Sequence, residues 1–369
     1  MNSFGFYTPS VVLSSDLPDV SIYTTHDAVD FRMTANGIVL LQGRYYALSG
    51  KIVVSDITSI IEHFLAGNTD SNLCDIRIEA FVGEDEVDYI DRTFTVLYCD
   101  KTTGLVDPLQ WLQENFLTLT RSRRLAPDSF INLSWYTTER EGISFRVFCT
   151  FLDDKGQRGT YSYVHSGNGL IAHFNGLMTE YVMLRDVRKR IMTARKIDAV
   201  TLQSVTIRCC NRSATFFVDP GLANLVPFYY LNCFGVPEHI SLPRTTTTKV
   251  KTDRSVALLG KYSQFYDITH SKEHEVESGA LSQDECLQVE QMLTSPSVKI
   301  PIGPDTAVYE TDFDAMLQVL ITDYTCEFSN SDEKLNTVKF TWRLSNNRPN
   351  IDPPFTPGIF DDHFNPIFT

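Results

Sequence analysis

Tryptophan is scarce in this chain, paired cysteines are missing, and no apolar run approaches the roughly 20 residues that a membrane helix needs. Only 3 Trp occur against 24 Phe and 16 Tyr, so the aromatic core has to be built from single rings. The first residues lack the basic-then-apolar order of a secretion signal, which predicts synthesis and folding in the cytoplasm. The eight cysteines (74, 99, 149, 209, 210, 233, 286 and 326) include no CxxC. Most fall in apolar or alternating runs and read as reduced core thiols. Cys209 and Cys210 would point to opposite faces of a strand, which argues against a shared metal. Basic residues are also short, with 32 Lys and Arg against 46 Asp and Glu and a formal charge of −14. That balance argues against a chain that grips nucleic acid, and it suits a concentrated soluble protein.

Recognisable chemistry is missing too. There is no phosphate loop, no GxSxG and no HExxH. His270 and His274, with Glu273 and Glu275, are the nearest approach to a cluster. In a strand, four residues span about 13 Å, too far for both imidazoles to reach one ion, so a polar strand face is expected. His26, His63, His165, His173, His239 and His363 have no partner at a ligating or activating spacing. Glu84-Asp85-Glu86 and Asp361-Asp362 read as loop charge. The expectation is therefore no enzyme, no catalytic, metal or cofactor-binding residue, no cofactor, and no specific nucleic-acid or membrane partner.

Alternation, in contrast, is abundant. Val338, Phe340, Trp342 and Leu344 share one face of a strand over Thr337 to Leu344, opposite Thr337, Lys339, Thr341 and Arg343. A partner strand over Ala315 to Phe328 places Tyr324, Cys326 and Phe328 toward the same core. Near the start, Val29 to Thr34, Ile38 to Leu41 and Arg44 to Val54 read as a meander with turns at Ala35-Asn36-Gly37 and Gln42-Gly43. A helix follows, since Ile57, Ile60, Ile61, Phe64 and Leu65 fall at helical spacing. Strands at Cys74 to Val82 and Thr93 to Cys99 would complete the sheet beneath it. Asp107-Pro108 opens a short second helix.

From Ser129 the chain returns to strands: Phe130 to Tyr136, Ile143 to Phe151, Thr160 to Val164, Val200 to Cys210 and Ala214 to Val218. Turns are expected at Asp153 to Gly156 and at Gly167-Asn168-Gly169. Arg185, Arg188, Lys189, Arg190, Arg195 and Lys196 form a dense basic stretch, read as a solvated face or an ion-paired surface toward a neighbouring subunit. Two long polar strands follow, Arg244 to Leu259 and Lys261 to Glu277. Ser282-Gln283-Asp284-Glu285 is a capping box opening a helix to Thr294. Trp111, Trp135 and Trp342 all fall in core positions. The order strand, Ser-Gly, helix occurs at both Ser49-Gly50 and Ser278-Gly279, a hint that the first and last regions repeat one unit.

The chain length predicts several cores. The expected fold is mainly β, with tandem antiparallel β-sandwich or barrel domains, each flanked by a short α-helix. Boundaries are expected at 1–117 for an N-terminal β domain with helix 56–66, at 118–226 for a middle β-rich domain, and at 227–345 for a C-terminal β domain with helix 282–294. Residues 346–369 form a Pro- and Phe-rich arm. Its Phe355, Phe360, Phe364 and Phe368 are expected to dock as an assembly arm on this body or the next subunit.

The segment from Phe228 to Pro349 carries Tyr230-Leu231-Asn232, Phe234-Gly235-Val236-Pro237-Glu238, Leu320-Ile321-Thr322-Asp323-Tyr324 and Lys334 to Trp342. With Gly50-Lys51-Ile52-Val53-Val54, it resembles uncharacterised structural proteins of phages and prophages of Bacteroides-like bacteria. The resemblance implies a non-enzymatic tail or baseplate component, tail-tube-like in fold, forming rings through sheet edges with other copies and other tail proteins. It implies residence in the virion after assembly. A carbohydrate-binding or adhesion β-sandwich is the alternative.

Overall fold

The computed structural model describes residues 2–5, 10–67, 72–83, 85–105, 107–137, 142–171, 176–223, 225–243, 247–259, 261–301, 316–329 and 335–345. Phe355, Phe360, Phe364 and Phe368 lie outside them. The chain is mainly β, with several antiparallel sheets and four α-helices among the described residues. None of those helices is long and apolar enough to cross a membrane.

The first segment contains β1 (Ser3–Phe4), β2 (Val11–Leu13), β3 (Val20–Tyr23), β4 (Ala28–Ala35), β5 (Ile38–Tyr46), β6 (Lys51–Val54), α1 (Ile57–Gly67), β7 (Leu73–Val82) and β8 (Val87–Leu97). A five-stranded sheet, β2-β8-β7-β4-β5, faces a three-stranded one, β1-β3-β6. Strict alternation along β4 sends Val29, Phe31, Met33 and Ala35 inward. Ile57, Ile61 and Leu65 of α1 cover the same core with Val20, Ile22, Ile52 and Val54. Burying each such side chain contributes about 1.5–3 kcal/mol.

Two expectations fail here. Gln42-Gly43 is no turn, because β5 runs through it and Gly43 lies opposite Phe31. Tyr45 fills the space beside that glycine and meets Phe31 edge-on at 6.0 Å, so the strand continues without a Cβ. The turn is instead at Ser49 and Gly50, whose φ angles of 51° and 78° are left-handed. Nor is this a meander, since β6 leaves β5 to pair with β3 and β4 pairs with β7.

After α2 (Pro108–Glu114), capped by the Asp107 carboxylate accepting from the Gln110 N–H at 3.0 Å, the second segment begins. It contains β9 (Ser122–Leu125), β10 (Phe130–Thr137), β11 (Gly142–Asp153), β12 (Arg158–Ile171), β13 (Gly176–Met183), α3 (Leu184–Arg195), β14 (Val200–Cys209) and β15 (Arg212–Val218). The sheet β12-β11-β14-β15-β9 encloses a core with the β10-β13 pair and α3. The basic stretch is the outward side of α3, whose Leu184, Val187 and Ile191 face the core. Gly167-Asn168-Gly169 lies within β12 rather than in a turn.

The first two segments share one topology. In each, an initial short strand runs parallel to the last one, β2 to β8 and β9 to β15. The next pairs with the strand preceding the helix, β3 with β6 and β10 with β13. A hairpin then contributes its first strand to the strand after the helix, so β4 pairs with β7 as β11 pairs with β14. The repeat thus joins first and second segments. The last segment keeps part of this order, because β16 of the β16–β17 hairpin pairs with β20 after α4 and β20 pairs with β21, as β4, β5, β7 and β8 do; it differs after Ser278-Gly279, where a single bridge at Leu281 stands in place of the four-residue strand that follows Ser49-Gly50.

The third segment holds β16 (Val226–Leu231), β17 (Pro237–Leu242), β18 (Thr247–Leu259), β19 (Tyr262–Glu277), α4 (Gln283–Thr294), β20 (Val298–Ile300), β21 (Leu317–Glu327) and β22 (Thr337–Leu344). They form one sheet, β17-β16-β20-β21-β22-β19-β18. Phe228 of β16 meets Phe340 and Trp342 of β22 edge-on at 5.6 and 6.1 Å, across two intervening strands, so the sheet is rolled. Val338, Phe340 and Trp342 are buried as their alternation predicts. Tyr324 and Phe328 are not. The register places Tyr324 opposite Phe340 and Cys326 opposite Val338, on the expected face; Cys326 packs partly on the core, while the Tyr324 and Phe328 rings are 48% and 37% exposed. Trp135 and Trp342 are core residues, whereas Trp111 is only half-buried, stacked on Phe234 at 5.5 Å.

Candidate assembly surfaces

The three cores are locked together around α4. Its capping box, with Ser282 accepting from the Glu285 N–H and Glu285 accepting from the Ser282 N–H, fixes the first turn. The same turn holds the second segment: Arg124 donates through Nε and Nη2 to Glu285 at 2.7 Å each, and Ser122 donates to Asp284 at 2.5 Å. Further along the helix, Lys101 of the first segment reaches Glu290 at 2.5 Å. Asn72 donates to the carbonyl of Gly235 at 2.5 Å. Gly235 has a φ of 68°, and a Cβ there would sit 2.8 Å from the Asn72 amide nitrogen, so this approach depends on glycine.

Beneath that contact lies a buried polar cluster that the sequence did not advertise. Glu238 accepts from the Tyr230 hydroxyl and from Asn232 Nδ2, each at 3.0 Å, and faces Arg123 Nη1 at 3.7 Å. Arg123 also lies over the ring of Phe216 at 5.2 Å. Beside it, His239 is wedged between Phe130 and Tyr229, ring centroids at 4.8 and 5.5 Å, with Nε2 3.0 Å from Ser129 Oγ. Burial, with the Arg123 charge nearby, pushes its imidazole down to about 3. Arg212 completes the junction by donating to the carbonyls of Leu112, Asn115 and Tyr136. Arg123–Glu238 and Ser129–His239 join the second and third segments, whereas Tyr230 and Asn232 brace Glu238 within the third, and His239 Nδ1 has no hydrogen-bond partner among the described residues.

From this joined body one element projects. The β18–β19 hairpin pairs from Thr247 opposite Glu275 to Leu259 opposite Tyr262, with one register shift between Ser255 and Val256, yet β19 pairs with β22 only from His274 to Glu277. The pairs from Val250 opposite Lys272 outward have no third strand among the described residues, a span of about 33 Å. At the root, Glu275 accepts from Lys249 at 2.7 Å and from Lys339. Those two ammonium groups hold its carboxyl down at about 2. Glu273 pairs with Lys251 at 2.7 Å. The polar strand face expected there exists, but His274 is on the other side, buried and stacked on Trp342 at 4.3 Å.

Along the ribbon, Val250, Val256, Tyr262 and Phe265 are 60, 56, 80 and 51% exposed, with Arg254 over the Phe265 ring at 5.3 Å. An isolated two-stranded ribbon is marginal in water, and exposed apolar side chains along it mark a candidate docking surface. Edges are open elsewhere too. Among the described residues β5 pairs only with β4 and β12 only with β11, the equivalent position in the repeat. Along β5 and just beyond it, Ile38, Val39, Tyr46 and Leu48 are exposed.

One face of the second sheet is hydroxyl-rich. Thr160, Thr150, Ser204, Phe217 and Arg124 form one row across five strands, and Ser162, Phe148, Thr206, Thr215 and Ser122 the next. An open groove of about 610 Å³ crosses it toward Arg195. Among the described residues, no group of three or more His, Cys, Asp or Glu side chains is placed to hold a metal ion.

No family model matches the chain, and no curated protein matches it. Among solved structures it is similar to the crystal structure of CBD12 from CALX1.2, at 11% identity over 54% of this chain and 76% of that one, with a TM-score of 0.19. It is also similar to the calcium binding domain CBD12 of CALX1.1, at 10% identity over 57% of this chain and 78% of that one, with a TM-score of 0.17. Similarity at this level carries no conclusion about what the chain does.

Proposed function

We propose that this chain is a non-enzymatic structural subunit that assembles with other copies and with partner proteins through its projecting ribbon and open sheet edges. The ribbon carries the reading: about 33 Å of two-stranded sheet, apolar side chains outward, rooted by ion pairs in a joined body. A body cross-tied by Arg124–Glu285 and Lys101–Glu290 suits a part that transmits position rather than one that closes on substrate. The finer assignment is a phage or phage-derived tail or baseplate ring, for which the sequence resemblance is the support. The Pro- and Phe-rich segment at 346–369 supplies a second docking arm in this proposal. Negative-stain electron microscopy of the purified chain tests it: closed rings or stacked particles support the assignment, and dispersed single particles at high concentration refute it.

One observation favours a second reading, a carbohydrate-binding or adhesion protein. Phe217 lies exposed among threonine and serine hydroxyls on the second sheet, an arrangement that stacks and hydrogen-bonds a sugar ring, beside Phe148, whose ring carries Arg208 at 5.2 Å. A glycan array separates the two, with binding abolished by Phe217→Ala pointing to the second.

A further inference from the structure

Of the eight cysteines, two from distant parts of the chain meet. Cys99 follows β8 in the first segment, and Cys233 sits in the turn between β16 and β17. Both are buried, at 0 and 2% exposure, in the apolar cluster of Leu13, Leu97, Leu117 and Phe234 that joins the segments. The Asp100 N–H donates to the Cys233 carbonyl at 2.9 Å, so the two backbones run side by side. Both side chains belong to that one cluster. Cys99 in turn donates to the Lys101 carbonyl at 3.1 Å.

We propose that Cys99 and Cys233 form an oxidisable clasp, a cross-link site that closes as a disulfide when the chain meets a small thiol oxidant of the peroxide class. The neighbouring Cys233 thiol holds the Cys99 thiol below its usual range, whereas burial pushes Cys74 and Cys149 up to about 12. Cys99 is therefore the attacking sulfur. Its thiolate takes one oxygen of hydrogen peroxide, giving a sulfenic acid and releasing the other oxygen as water once protonated. The Cys233 sulfur then attacks the Cys99 sulfur and expels that hydroxyl as a second water. Two thiols lose two electrons in all, and one peroxide becomes two waters. The new bond joins the turn that holds Asn72, Arg123 and α4 in place to the first segment, so it would tighten the junction after the chain leaves reducing surroundings.

The test is thiol mapping of the full chain after mild hydrogen peroxide treatment, with remaining thiols alkylated in denaturant before proteolysis and mass spectrometry. The clasp predicts a peptide linked through Cys99 and Cys233, with Cys74, Cys149 and Cys209 alkylated. Recovery of Cys99 and Cys233 as free thiols while exposed Cys210 is oxidised overturns it, as does pairing of either with another cysteine. In Cys233→Ser the reaction should stop at a Cys99 sulfenic acid, captured by dimedone. The cross-linked wild type should melt higher by on the order of 5 °C. An unchanged melting temperature in mapped, cross-linked protein would contradict a clasp at this junction.

Discussion

Arg123 Nη1 and Glu238 Oε2 face each other at 3.7 Å, with both side chains only 3% exposed. One belongs to the strand that begins the second segment and the other to the turn-proximal strand of the third, so this pair sets how two cores meet. Removing one partner leaves a buried charge uncompensated. Arg123→Met should cost about 3–5 kcal/mol in urea unfolding, while Arg123→Met with Glu238→Gln should recover much of that loss. A double-mutant cycle measures the coupling directly.

His239 predicts an acid sensitivity centred on the same junction. Its imidazole titrates near 3 in the fold against 6.5 when free, so between those values the unfolded chain binds more protons. Stability therefore rises with pH across that window and falls as pH drops below about 6.5, by roughly 1.4 kcal/mol per unit. His239→Gln should flatten this slope in unfolding titrations. An unchanged slope would place the sensitivity elsewhere.

The capping box on α4 should be measurable by itself. Ser282→Ala removes the acceptor for the Glu285 N–H and is expected to lower stability by about 1 kcal/mol in chemical denaturation. The loss should be larger than for a cap on an isolated helix, because Glu285 also anchors Arg124.

On α3 the two faces should separate cleanly. Lys189→Gln, on the outward face, should change stability by no more than about 0.5 kcal/mol. Ile191→Ala, at 0% exposure in the second core, should cost about 2–5 kcal/mol. Equal effects from both would contradict the amphipathic orientation.

Much of this architecture was legible in the residues. Capping chemistry placed α2 and α4, period-3.6 spacing placed α1, and period-2 alternation placed β4 and β22. What escaped had weak local signals. The apolar stripe of α3 is three residues, Leu184, Val187 and Ile191, hidden among five basic ones. Parallel β2 and β9 are three and four residues long, too short to show a period. The junction of Arg123, Glu238 and His239 comes from residues more than a hundred positions apart and has no linear trace. The ribbon was visible as two long polar strands, but its projection depends on where β22 stops pairing.

The most direct measurement replaces 251–271 with an Asn-Gly turn, removing the ribbon tip while keeping the Lys249–Glu275–Lys339 root, and compares oligomeric state by native mass spectrometry at matched concentration. The assembly account predicts that the intact chain forms multimers, and that the shortened one is a folded monomer with an unchanged circular dichroism melting curve. Identical oligomeric states for the two proteins, monomeric or not, would contradict it.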